Sequence, residues 1–139
     1  MIVLDTNVIS ELMRPLPDAG VLGWMDRQAS RSIWTTAVTL YELRSGMLSM
    51  PAGKKQTLLS EFFGQWLDKV LEGRLLNLDT AAAERAAEIT ATRRAKGRPV
   101  DSRDTMIAGI VLANHATLAT RNVRHFEEIA KSVVNPWEG

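Results

Sequence analysis

Three acids in this chain stand where a carboxylate does little for a core. Asp5 ends the first hydrophobic run, Met1-Ile2-Val3-Leu4-Asp5-Thr6-Asn7. Glu42 and Asp104 lie in two later helix-like segments that border further strand-like runs. An isolated carboxylate buried beside a strand costs several kcal/mol or more, so its presence there asks for a partner. Hard oxygen ligands of this kind suit Mg²⁺ or Mn²⁺, which bind through a few carboxylates plus substrate phosphate and keep several waters. Without a cation, clustered acids repel and raise their own pKa values. With one, a bound water becomes a better nucleophile and phosphoryl charge is stabilised. Metal-assisted hydrolysis of a phosphodiester is the chemistry these parts fit.

The elements that must position these acids follow from the hydrophobic pattern. Ile2–Leu4 reads as a short strand buried on both faces, and Thr6 or Asn7 is positioned to cap a helix running to about Met13. A helix over about Ala19–Gln28, a strand over Ser32–Thr36 and a helix ending near Leu48 come next. The segment from Lys54 to Leu71 carries paired apolar residues every four positions (Leu58, Leu59, Phe62, Phe63, Trp66, Leu67, Val70, Leu71), the mark of a broad apolar helical stripe. A strand at Leu75–Leu78 precedes an alanine-rich helix, capped by Thr80 and reaching about Lys96. Then come a nearly all-apolar helix over Ser102–His115, a strand at Thr117–Ala119, a helix over Val123–Ala130 and a last strand at Ser132–Val134. Strands alternating with helices imply a parallel sheet covered on both faces. In such sheets ligands bind beyond the carboxyl ends of the strands, near the point where strand order reverses. Asp5, Glu42 and Asp104 can all reach that end.

Each acid also has a plainer reading. Asp5 is a good cap residue, Asp101-Ser102-Arg103-Asp104 resembles a capping box, and a half-exposed Glu42 is unexceptional. Asp104, however, shares a helical face with Ile107, Ala108 and Val111, where a capping acid would normally face water. Glu42 shares its face with Val38, Ser45 and Gly46, among small groups rather than charges.

Length and composition bound the rest. A chain of 139 residues, 45% hydrophobic and 24% charged, is expected to form a single domain over 1–139 with an ordinary core. A net charge of +1 gives no global field for nucleic acid, so any basic footprint must be local. The absence of cysteine excludes disulfides, thiolate metal sites and thiol nucleophiles. No apolar run approaches the roughly 20 residues of a membrane span, and no signal peptide opens the chain, so a cytoplasmic protein is expected.

Four segments occur in order: Val3-Leu4-Asp5-Thr6-Asn7-Val8-Ile9, Thr39-Leu40-Tyr41-Glu42-Leu43-Arg44-Ser45-Gly46, Asp104-Thr105-Met106-Ile107-Ala108-Gly109, and Leu118-Ala119-Thr120-Arg121-Asn122-Val123-Arg124-His125-Phe126. Together they resemble the PIN-domain family, specifically its VapC/FitB-type toxins of bacterial toxin–antitoxin pairs. The resemblance implies a three-layer α/β/α sandwich with a mainly parallel sheet of four to five strands. It implies a Mg²⁺- or Mn²⁺-dependent endoribonuclease, a homodimer, and inhibition by a VapB/FitA-type antitoxin. Carried over by motif position, Asp5, Glu42 and Asp104 are the metal-site acids, with Thr6 and Thr120 orienting ligands or water; Asn122 is left to supply a carbonyl oxygen or hold a metal-bound water. The fourth motif departs from the family, where many members carry a further acid at or just after the position of Asn122. Here Asn122 is neutral and His125 stands where Asp or Glu is frequent, which favours a single metal; Asp101 is a helix cap before it is a substitute ligand.

Arg121 and Arg124, after the fourth strand, are the expected phosphate contacts, whereas Arg93 to Lys96 match a solvated helix end. Free aromatics are too few to argue for a stacking platform, which favours folded or looped RNA. The Leu58–Leu71 stripe, with Trp24, Trp34 and Trp137, exceeds what one helix side buries and points to a groove for a partner helix or second subunit. An aspartyl-nucleophile phosphatase is disfavoured because position 7 is Asn, not a second acid. A nucleotide-binding fold lacks its Gly-rich loop. The remaining alternative is a degenerate PIN domain that only binds RNA or protein.

Overall fold

The computed structural model describes residues 1–139 in full. Five strands, β1 (Ile2–Leu4), β2 (Ile33–Thr36), β3 (Leu75–Leu76), β4 (Thr117–Ala119) and β5 (Val133–Val134), form one sheet in the order β3-β2-β1-β4-β5. Every pairing is parallel. The chain therefore builds outward from β1 to β3, returns to the other side of β1, and finishes at β5. Strand order reverses between β1 and β4, and the sheet opens there beyond Leu4 and Ala119.

Helices cover both faces, as the parallel pattern requires. On one side lie α1 (Thr6–Leu12), α2 (Ala19–Asp26), α3 (Ala37–Leu48) and α4 (Lys54–Trp66), burying Leu4, Val8, Ile9, Val21, Trp24 and Phe63 with Ala119. On the other lie α5 (Thr80–Ala95) and α6 (Ser102–Ala113), where Val3 and Leu118 meet Ile89, Ile107, Val111 and Phe126. Val3 and Leu4 thus point into different layers, as the two-residue period of a strand dictates. The α5–α6 contact is close: a Cβ on Gly109 would strike the Ala82 carbonyl oxygen and lie 2.8 Å from the Ala86 nitrogen. No helix is long and apolar enough to cross a membrane.

Several expectations change in detail. α4 ends at Trp66, and a π-helical turn over Leu67–Leu71 carries the chain to Glu72 and Gly73, both at positive φ. The paired stripe is split by this geometry. Phe63 and Leu71 are buried, while Leu58, Phe62 and Val70 stay exposed. Trp24 and Trp34 are not free surface: the first is buried and the second half-buried against the core. The caps of α1 and α5 are Asp5 and Asp79 rather than Thr6 and Thr80, because each acid accepts a bond from the first turn. The expected helix over Val123–Ala130 is instead 3₁₀ structure over Val123–Ser132, broken at Phe126 and Ile129. A three-residue repeat eclipses those two side chains and sends both into the core.

Candidate active site

β1 delivers Asp5 to the reversal point. Its backbone N–H extends the β1–β4 ladder to the Ala119 carbonyl at 3.0 Å, and Thr120 N–H does the same to Val134 at 3.0 Å. These bonds fix the spacing of the two strand ends that hold the site. Asp5 is buried, with 4% of the residue exposed. Its Oδ1 accepts from Thr6 N–H at 2.8 Å, and its Oδ2 accepts from the Thr120 hydroxyl at 2.7 Å and from Asn7 Nδ2 at 3.4 Å. Thr120 is buried, and its Oγ1 in turn accepts from Asn7 Nδ2 at 3.2 Å and from Asn122 N–H at 3.0 Å. Asn7 Oδ1 accepts from Arg121 N–H at 3.1 Å, so the turns after β1 and β4 are laced together.

Glu42 reaches the same place from α3. Its Oε1 accepts from the Thr6 hydroxyl at 3.1 Å, and its Oε2 lies 3.4 Å from Arg103 Nη1. The expected setting of small neutral neighbours is therefore wrong: a helix wheel shows its own face, and Arg103 comes from α6. Asp104 enters from the first turn of α6, with Asp101 as the cap, accepting from Asp104 N–H at 3.0 Å. Asp104 Oδ2 lies 3.0 Å from His125 Nδ1.

Asp5, Glu42 and Asp104 line one cleft of about 580 Å³ together with Thr6, Asn7, Arg121 and Asn122. All three carboxyls are held above their ordinary values. Burial is the main cause for Asp5, with Asp104 adding repulsion against the bonds from Thr120 and Thr6. Burial leads for Glu42 as well, opposed by Thr6 and Arg103 and reinforced by Asp5. For Asp104, burial is followed by repulsion from Asp101, with His125 pulling the other way. Three acids that burial and mutual repulsion keep reluctant to ionise form a donor set that a hard cation would relieve. The three carboxyls do not stand close enough together to form a metal-holding group by themselves.

Other expected site residues divide. Arg121 lines the acid cleft, whereas Arg124 lines a neighbouring depression with Asp101, Asp104 and His125. Asp101 caps α6 and stays out of the acid cleft. Arg93 is structural: it pairs with Glu128 at 2.8 Å and donates to the Pro99 and His125 carbonyls. Sequence reasoning missed Glu11 and Arg14, placed Trp137 in a partner groove rather than in this cleft, and did not foresee the pairing of Arg103 with Glu42. Glu11 is buried, accepting from Asp18 N–H at 2.9 Å and pairing with Arg14 at 3.2 Å, and both residues line the cleft. The three-residue spacing of Glu11 and Arg14 was the available signal.

Residues 2–132 match the PIN domain family. The plasmid stability protein StbB of Pseudomonas syringae pv. tomato is 44% identical over 138 residues, covering 99% of each chain. VapC ribonuclease Y4jK of Sinorhizobium fredii is 38% identical over 138 residues, again covering 99% of each. Among solved structures, FitAcB from Neisseria gonorrhoeae superposes with a TM-score of 0.90 at 35% identity, covering 100% of both chains. With its acids at the reversal point of a five-stranded parallel sheet, the chain belongs to the PIN-domain family.

Proposed function

We propose that this protein is a Mg²⁺- or Mn²⁺-dependent endoribonuclease, the toxin of a toxin–antitoxin pair acting in the cytoplasm. The observation that carries the reading is the shared cleft in which Asp5, Glu42 and Asp104 are all pushed toward the protonated form. A bound cation would offset that repulsion, polarise a phosphate and lower the pKa of a water in the cleft. Asp5 and Asp104 are the residues assigned to hold it. Thr120 and Thr6 N–H lock the Asp5 carboxylate in one rotamer, so its lone pairs stay aimed at the cleft. Glu42, kept from drifting by the Thr6 hydroxyl, takes the proton from the attacking water. Arg121 meets the non-bridging phosphate oxygens, and Arg124 follows the backbone outward. Asn122 lines the cleft with a neutral amide that can hold water.

Beside the acids lies an apolar trough of about 470 Å³ lined by Met13, Leu43, Met47 and Leu59. It shares Thr6, Ser10, Arg14 and Glu42 with the acid cleft. An apolar segment of a VapB/FitA-type antitoxin laid in this trough would bring its neighbouring residues onto the acids. The exposed face of α4 and the π-helical turn after it, with Leu58, Phe62 and Val70, is the surface we assign to a second copy in a homodimer.

Cleavage of RNA by the unsubstituted chain, stopped by EDTA and restored by Mg²⁺, is the expected result. Asp5→Asn and Asp104→Asn should each lower it by at least about a hundredfold. Near-normal cleavage by either variant would sink the assignment. The alternative, a non-catalytic RNA- or protein-binding domain, draws support from the neutral Asn122; RNA binding without cation-dependent cleavage would establish it.

A further inference from the structure

One part of the cleft is not explained by the acids. Trp137 is its single hydrophobic lining residue. The turn after β5 fixes it there: Trp137 N–H donates to Asn135 Oδ1 at 3.0 Å and Glu138 N–H donates to the Asn135 carbonyl at 3.1 Å. Its ring is half-buried against the α1–α4 core, so it cannot swing freely. The Arg121 guanidinium carbon lies 4.9 Å from the ring centroid. Arg121 is anchored at its backbone through Asn7, the residue that also touches Asp5 and Thr120. Its side chain is exposed and forms no salt bridge with any of the chain's carboxylates.

A guanidinium seated over an indole has the side toward the ring covered, while the side away from the ring and its N–H edges stay open. The open face of such a group can take an unstacked nucleobase, and the N–H edges donate to phosphate oxygens. A lysine at the same place would supply charge but no plane. We propose that Arg121 and Trp137 form a nucleobase-stacking subsite for a nucleotide next to the cleaved bond. Arg121 is the contact and Trp137 the positioning residue that keeps it flat. This rests on the RNA-cleaving reading above, and it departs from the expectation that free aromatics are too few to argue for a stacking platform. The base would be held by its π-face, so the subsite selects for an unpaired nucleotide and not for base identity.

The test compares a labelled oligouridylate with an abasic ribose-phosphate strand of the same length. Both are titrated against the full chain carrying Asp5→Asn, which prevents cutting. That protein should bind the base-bearing strand about tenfold more tightly than the abasic one, the scale of one stacking contact. Trp137→Leu and Arg121→Lys should each abolish the preference, and Trp137→Phe should retain most of it. Arg121→Lys should leave the salt dependence of binding unchanged, because its charge remains. In the cleaving protein, Arg121→Lys should raise KM by a larger factor than it lowers kcat. A preference that survives Arg121→Lys overturns the proposal, as does an equal loss on both strands, which would make Arg121 a phosphate contact alone. Should Trp137→Leu fail to fold, Arg121→Lys, a surface change, decides. If the Asp5→Asn protein binds neither strand, the subsite and the RNA reading both fall. If the base preference behaves as expected but the unsubstituted chain cuts nothing, only the catalytic reading falls.

Discussion

Removing divalent cations should make this protein less stable at neutral pH than at mildly acidic pH. The ordinary values are 3.8 for Asp5 and Asp104 and 4.5 for Glu42, and the fold raises all three. A carboxyl with a raised folded pKa binds its proton more tightly in the native state than in the unfolded one. Its stabilising contribution is complete below the unfolded value and is lost as pH rises through the folded value. Within that window the unfolding free energy falls by up to about 1.4 kcal/mol per pH unit for each such acid. The three do not titrate independently, since each ionisation hinders the next, so the loss spreads over a broad interval above pH 4.

A saturating divalent cation should erase that slope by favouring the ionised acids. At a hundredfold excess over its dissociation constant it contributes about 2.7 kcal/mol. For a chain of this size that is a rise in melting temperature of roughly 10 °C. The assay is thermal melting of EDTA-treated protein across pH 4.5 to 8, with and without Mg²⁺ or Mn²⁺. The variant with Asp5→Asn, Glu42→Gln and Asp104→Asn serves as the control. A stability that rises from pH 5 to 7.5 in EDTA would refute the electrostatic account. So would a cation effect that persists in the triple variant, since the ion would then bind elsewhere.

Thr120→Val should cost about 2 kcal/mol by leaving Asn7 Nδ2 and Asn122 N–H without their acceptor. It should also raise the Asp5 pKa further and weaken cation binding, with Thr120→Ser restoring both by calorimetric titration. Gly109→Ala should lower stability by about 2 kcal/mol in denaturant unfolding, because the clash with Ala82 and Ala86 outweighs the roughly 1 kcal/mol gained in helix propensity. Arg103→Met should change stability by less than about 1 kcal/mol, as the pair with Glu42 is half-exposed, while moving the acid limb of the pH–activity profile upward. Asn122→Asp should raise the Mn²⁺ stoichiometry or affinity read by equilibrium dialysis; unchanged binding would show that the added carboxylate does not reach the ion.

The parts legible in the sequence are those set by short-range pattern. Ile2–Leu4 and Thr117–Ala119 announce buried parallel strands by continuous apolar runs, and the acids just beyond or beside strands stand out because they oppose that pattern. Gly109 sits in a helix too apolar to be anything but buried. What stayed hidden depends on the rotation of one element against another. Arg103 is one residue from Asp104 in sequence, yet it serves Glu42 from a different helix. The π-helical turn after Trp66 and the broken 3₁₀ run through Phe126 follow from burial demands that the local sequence does not display. Trp137 looked like surplus apolar surface because nothing near it in sequence says that β5 ends beside the turn after β4.

The same distinction bears on the missing fourth acid. Read alone, Asn122 and His125 suggest a weakened site. In the fold they do different things. Asn122 N–H secures the Thr120 hydroxyl that holds Asp5, and the residue lines the cleft without adding charge. His125 faces Asp104 and lowers its pKa, working against the burial that raises it. A fourth carboxylate there would have added to the repulsion already felt by three. Arg103 lies beside Glu42 and His125 beside Asp104, while Asp5, the most deeply buried of the three, meets only neutral donors from Thr6, Asn7 and Thr120. On that ground we propose a single divalent ion seated against Asp5, rather than a pair of ions sharing four acids.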